Sequence, residues 1–239
     1  PISGKPYSKR DGDAYVGDFK NKGFLPEALF NYLALLGWSP GDDREKMTKD
    51  EMISAFSLDR VKSSPGKFDI HKLMNMNGSY ISEMQTAKFA EKAYEFTVDW
   101  KEIRPTQEDF AKIATVMQSR TKVLTQADEW KYFFSESYEV NSKELQKLLS
   151  KTGTGEALSK FRLSLATLNG ADSQAVEACI RDSESSAGIQ KGGLNQLLRL
   201  VLTGAKSGPS IEDVIKILGT DKCATRIDRC VAQVENHSS

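Results

Sequence analysis

Two short stretches carry side chains able to do chemistry. The first is Ser8-Lys9-Arg10, a cationic loop followed by the turn-forming run Asp11-Gly12-Asp13. Taken alone, the three residues suit a solvated turn. The second stretch surrounds Arg199, whose guanidinium can offer a planar donor fork to a base or a phosphate. Pro209 follows in a loop beside the start of another helix, where backbone groups can read splayed bases. Without further context a surface salt bridge is the simpler reading of Arg199. Thr152-Gly153-Thr154-Gly155 lacks the Gly-Lys-Ser/Thr ending of a phosphate-cradling loop and reads as a turn. His71 and His237 lie far apart with no cysteine pair beside either, so no metal site is expected.

The elements that must position these residues read as helices. Gly23-Phe24-Leu25-Pro26 leads into an apolar helix that stops at Gly37, with Pro26 in its first turn. Ala28, Leu29, Tyr32, Leu33, Leu35 and Leu36 recur at three- and four-residue spacing. Burial on most sides is expected for this helix. Thr48 and Glu51 form a capping box for Lys49 to Phe56. Asp69 caps a helix expected to end near Gly78, with Asn77-Gly78 as its C-terminal turn. Thr106 opens a helix striped by Phe110, Ile113, Ala114 and Met117, with Arg120 and Lys122 just beyond. Further helices are expected after Thr125 (anchored by Trp130, Phe133 and Phe134), after Ser142, from Glu156 to Leu168 and from Asp172 to Asp182, with a loop from Ser183 to Gly188. Glu95 to Trp100, EFTVDW, is the nearest candidate for a strand and is not convincing. The chain therefore reads as all-α or nearly so, with a boundary near residue 152 and a softer one near residue 100.

Composition bounds the rest. With 239 residues, 39% hydrophobic and 28% charged, the chain is long enough for one large domain or two to three small ones of a soluble globular kind. No apolar run is long enough to span a membrane, and no secretory signal is visible. The 33 basic and 33 acidic residues cancel, so any nucleic-acid surface must be a local patch. Cys223 and Cys230, if on one helix, lie about 10 Å apart along its axis, beyond disulfide reach. Free thiols and a reducing, cytoplasmic compartment are expected. The chain opens without Met inside what reads as a loop, so a fragment of a longer protein is expected.

Tyr7-Ser8-Lys9-Arg10, the small-residue turn, and then Gly23 to Trp38 (GFLPEALFNYLALLGW) closely resemble the bacterial glutamyl-tRNA synthetases. In that family the class I KMSKS-type loop appears as Lys-Leu-Ser-Lys-Arg. Here Pro6 replaces the first lysine, with Lys5 one place earlier. Gly41-Asp42-Asp43-Arg44-Glu45, Leu58-Asp59-Arg60-Val61, Ser64-Pro65, Lys67-Phe68-Asp69, Lys72-Leu73, Asn77-Gly78 and Tyr80-Ile81 follow the family's stem-contact region in order and spacing. Leu194 to Gly204, Pro209 and Ile211 to Gly219 resemble its C-terminal anticodon-binding subdomain.

The resemblance implies the C-terminal half of an enzyme that joins glutamate to tRNA(Glu) using ATP and Mg²⁺. It implies a KMSKS-type loop and stem-contact domain over 1-100, a first anticodon-binding helical subdomain over 101-152, and a second over 153-239. Ser8, Lys9 and Arg10 would face ATP, with Lys9 as the catalytic lysine. Arg120, Arg199, Lys206, Gly208, Pro209 and Ile211 would face tRNA. The nucleotide-binding fold with its HIGH-type motif would precede Pro1, so the chain alone is expected to be an inactive monomer that binds tRNA and holds no cofactor. Two rival readings stand beside it: a non-catalytic tRNA-binding or protein-interaction module on the same scaffold, and a non-discriminating synthetase charging both tRNA(Glu) and tRNA(Gln), a choice that would turn on Arg120.

Overall fold

The computed structural model describes residues 15–63, 66–135, 138–168 and 172–235. They fall into two compact units, Pro1–Glu129 and Trp130–Ser239. Among the described residues extended pairing is confined to an isolated antiparallel bridge of Trp38 with Val61, and most of the remainder is helix. The all-α reading therefore holds.

In the first unit, α1 (Val16–Asn21), α2 (Pro26–Gly37), α3 (Lys49–Ala55), α4 (Ile70–Glu83), α5 (Thr86–Tyr94) and α6 (Gln107–Met117) follow in order. Local chemistry sets their starts. Pro26 occupies the first turn of α2. Thr48 and Glu51 close a reciprocal capping box on α3. Asp69 accepts from the amides of His71 and Lys72, and Thr106 accepts from that of Asp109. Phe19, Phe24, Leu29, Tyr32, Leu73, Met76 and Val123 form the main core, and Trp38, Met47 and Met52 a smaller one. Each such side chain contributes on the order of 1.5–3 kcal/mol when fully buried. The Tyr32 hydroxyl accepts from the Asp69 amide at 2.6 Å, which pins the start of α4 to α2.

Three expectations change here, and the EFTVDW segment, not convincing as a strand, is helical. Helix α2 is buried on one face and not on most sides: Ala28, Leu29, Asn31 and Tyr32 face inward, whereas Phe30 and Leu33 are about half exposed. Helix α4 does not stop at Gly78 but runs on to Glu83. Gly78 serves instead as a low point on the helix, where the backbone of Thr121 and Lys122 lies close. The EFTVDW segment is 3-10 helix, Glu95–Ile103, because its buried residues, Thr97 and Trp100, recur at a spacing of three. Trp100 Nε1 donates to Asp128 at 2.6 Å. Thr125 does not cap an α-helix; it lies in 3-10 helix Leu124–Phe133 and its hydroxyl donates to the Lys22 carbonyl.

The second unit holds α7 (Ser142–Leu149), α8 (Thr154–Ser164), α9 (Ser173–Ser186), α10 (Asn195–Thr203), α11 (Ile211–Leu218) and α12 (Thr220–Glu235). The cap of α7 is Asn141, one residue before the expected Ser142. Helix α9 continues through the expected loop at 183–186, because Ser183 and Glu184 turn inward and become buried. Helix α12 packs against α7, α8, α10 and α11. Its inner face is Cys223, Arg226, Ile227 and Cys230. Both cysteines are free thiols, as is Cys179. Burial pushes the Cys223 thiol up to about 12 and that of Cys230 up as well.

Candidate functional site

Ser8, Lys9 and Arg10 lie outside the described residues. The second candidate site is built on the end of α10, the loop after it and the start of α11. Leu197, Leu198, Leu200, Val201 and Leu202 are buried, which holds α10 in the core and leaves Arg199 half-buried at its edge. Helix α10 ends on Gly204, in the left-handed region at φ 73°. A Cβ there would collide with the Glu139 carbonyl oxygen, so the turn requires glycine. The Thr203 hydroxyl donates back to the Arg199 carbonyl at 2.7 Å and accepts from the Ala205 amide at 3.2 Å. These bonds carry the chain out of the helix towards Pro209.

The Arg199 guanidinium donates through Nη2 to the Pro209 carbonyl at 3.3 Å, while its Nε is buried with no hydrogen-bond partner among the described residues. Ser210 caps α11 by accepting from the Asp213 amide at 3.1 Å. The Ile211 side chain is buried, so what this residue presents is its backbone amide, one of the first-turn donors a helix leaves unpaired. Glu212 and Asp213 make that turn acidic. They offset the positive end of the helix dipole, which disfavours an anion there. Gly208 has φ 150°, and a Cβ on it would lie 3.8 Å from the Tyr132 hydroxyl. Lys206 is exposed but ion-paired to Glu144 at 3.1 Å.

The structure thus brings Arg199 and Pro209 into contact, with Gly208 and Ile211 on either side. Lys206 is turned to α7 instead. Arg120 lies in the first unit, exposed at the end of the 3-10 turn Gln118–Arg120 that follows α6.

One supporting residue is invisible to motif reading. Arg226 is buried and its guanidinium donates to the carbonyls of Leu202 at 2.5 Å, Tyr132 at 2.6 Å and Ser135 at 3.0 Å. It also stacks 4.3 Å from the Tyr138 ring centroid, and Tyr138 donates to the Val201 carbonyl. Arg226 therefore holds the C-terminal turn of α10 from below the loop. The signal was present: Cys223, Arg226, Ile227 and Cys230 follow core spacing, with a cation where an apolar residue is the norm. Among the described residues no group of three His, Cys, Asp or Glu could hold a metal ion. Among them also, no helix is long and apolar enough to cross a membrane.

Comparison with known families gives the class of protein to which this helical chain belongs. Residues 88–231 match the family described as "Anticodon binding domain", and residues 2–75 match "tRNA synthetases class I (E and Q), catalytic domain". The chain belongs to the anticodon-binding domain family, in the arrangement found in class I glutamate–tRNA ligases. It is 33% identical over 235 residues to the glutamate–tRNA ligase of Desulforudis audaxviator, covering 95% of this chain and 47% of the relative. It is 32% identical over 234 residues to glutamate–tRNA ligase 1 of Caldanaerobacter subterraneus, covering 96% and 48%. The crystal structure of a glutamate tRNA ligase from Elizabethkingia meningosepticum in complex with its amino acid shares the fold, with a TM-score of 0.78 at 24% identity, over 96% of this chain and 49% of that one. The chain spans about half the length of the curated relatives it matches.

Proposed function

We propose that this chain is the tRNA-binding portion of a cytoplasmic, monomeric glutamate–tRNA ligase, which joins glutamate to tRNA(Glu) with ATP and Mg²⁺. The KMSKS-type loop and stem contact occupy 1-100, the first anticodon-binding subdomain 101-152 and the second 153-239. The two compact units divide elsewhere, between Glu129 and Trp130. Lys9, between Ser8 and Arg10, stabilises charge developing on the nucleotide's phosphates when the preceding part of the enzyme presents them.

The observation that supports this reading most directly is the seat of Arg199. A charged fork is held against Pro209 at the mouth of α11, with a buried Nε that no group among the described residues satisfies. A buried donor without a partner is costly, and a base edge placed in the loop can supply the missing acceptor. Gly208, Pro209 and the Ile211 amide line the other side, and Lys206 contributes a phosphate contact once released from Glu144. Arg120 reads the third anticodon base.

Base contacts carry specificity, whereas phosphate contacts carry salt dependence. Arg199→Ala should cost on the order of 1–3 kcal/mol in binding the cognate anticodon and much less on a tRNA whose anticodon is already altered. Lys206→Ala should weaken both tRNAs about equally and flatten the salt dependence. Filter binding of both variants to the two tRNAs at several salt concentrations tests this. Equal weakening of both tRNAs by Arg199→Ala would make Arg199 a structural or backbone contact and remove the site.

A further inference from the structure

Asn77 is fully buried in the middle of α4, yet its side chain serves two distant segments. Its Oδ1 accepts from the Leu25 amide at 2.8 Å, and its Nδ2 donates to the Lys122 carbonyl at 2.5 Å. Beside it, Gly78 lets the 121–122 backbone settle onto the helix: an added Cβ would already touch Lys122 Cγ at 3.4 Å and the Thr121 carbonyl oxygen at 3.5 Å. A second buried carboxamide works from the other direction. Gln118 Nε2 donates to the carbonyls of Ile81 and Met84 at 2.8 and 2.7 Å, and its Oε1 accepts from the Thr86 hydroxyl. The Thr121 hydroxyl donates to the Met117 carbonyl. Gln126 Oε1 accepts from the amides of Lys122 and Val123.

The exposed pair Ser119 and Arg120 is therefore a short 3-10 turn with both ends tied down by buried amides. Packing alone would be met by leucine at 77 and 118. Fully satisfied buried amides specify one register where apolar contacts tolerate several. We infer that Asn77, with Gly78 and Gln118, is a positioning clamp that fixes where the Arg120 guanidinium meets the third anticodon base. Asn77 touches no RNA; it acts through the Lys122 backbone. This rests on the assignment of Arg120 made above.

The test separates the clamp from that assignment. Asn77→Asp keeps the acceptor for Leu25 and replaces the donor facing Lys122 with a second acceptor. Gly78→Val leaves the Asn77 side chain and its bond to Leu25 in place and wedges the 121–122 backbone away from it, so it decides the matter if Asn77→Asp melts below the assay temperature. The 239-residue chain is titrated with a tRNA(Glu) transcript and with the same transcript altered at the third anticodon base. Arg120→Ala should weaken the unaltered transcript about tenfold and the altered one less than about twofold. Asn77→Asp and Gly78→Val should each weaken the unaltered transcript by about fivefold with the same preference, and neither should add to Arg120→Ala in the double variant. Equal loss on both transcripts, or full additivity with Arg120→Ala, would leave Asn77 a residue of the fold alone and overturn the clamp. If Arg120→Ala changes neither transcript, the assignment of Arg120 falls and the clamp's role with it.

Discussion

Replacing Arg226 by Met should loosen the second unit at the point that carries the loop after α10. The guanidinium makes three short bonds, to the carbonyls of Leu202, Tyr132 and Ser135. The Leu202 carbonyl lies in the last turn of α10, where helix carbonyls lack intrahelical partners and a cation is favoured. Hydrogen bonds from a charged donor contribute roughly 1.5–3 kcal/mol each. Methionine regains part of that by burying apolar surface, about 1.5–3 kcal/mol, and removal also abolishes the cost of burying a cation. A net loss of about 3 kcal/mol follows, similar to that for removing one partner of a buried charged pair. At a slope of about 2 kcal/mol per molar urea, the midpoint should fall by about 1.5 M. Arg226→Lys keeps the charge but not the fork, and should lose about half as much. Urea unfolding followed by circular dichroism gives the midpoint, and native-state hydrogen exchange should place the loss in α10 and α12 with α2 and α4 unchanged. A shift below about 0.5 M, or equal loosening of α2, would refute the reasoning.

Glu184 is buried, and burial pushes its carboxyl up, but the amides of Leu194 and Gly192 together with Arg181 outweigh that and hold it below the usual carboxylate range. A lowered folded-state value means stability present above the unfolded value, near 4.5, and lost as pH falls through the folded one. Glu184→Gln should flatten the acid limb of a plot of urea midpoint against pH; an unchanged limb would show that other carboxylates dominate it. Gly204→Ala should destabilise by at least about 2 kcal/mol in thermal melts, through both its positive φ and the collision with Glu139. Gly155→Ala, in the first turn of α8 with open space where the Cβ would go, should be neutral or stabilising by up to about 1 kcal/mol. At pH 8 the native protein should react with a thiol reagent at Cys179 only, with Cys223 and Cys230 reacting on unfolding; rapid reaction of three native thiols would contradict their burial.

Sequence alone determined what depends on neighbours within about one helical turn. The capping box at Thr48 and Glu51, the caps at Asp69 and Thr106, Pro26 in the first turn of α2 and the stripe from Phe110 to Met117 were legible, because their partners are three or four residues away. Arg199 and Pro209, ten residues apart, could be paired through the family resemblance, and the structure puts them in contact. Lys206 was expected to face tRNA; its ion pair with Glu144, 62 positions earlier, could not be read from its neighbours. The rest was decided by tertiary structure. Asn77-Gly78 looks like a helix end, but its partners, Leu25 and Lys122, lie 52 and 45 residues away, and a side chain satisfied at that range need not stop its helix. Phe30 and Leu33 share the apolar character of Leu29 and Tyr32, and only the arrangement of α4 and the 3-10 segments fixes which face of α2 is covered. Arg226, bonded to backbone 24, 91 and 94 residues away, carries no local mark beyond its place in an apolar stripe. Backbone hydrogen bonding and apolar period are local properties of the chain; which buried polar group meets which distant carbonyl is fixed only when the helices pack.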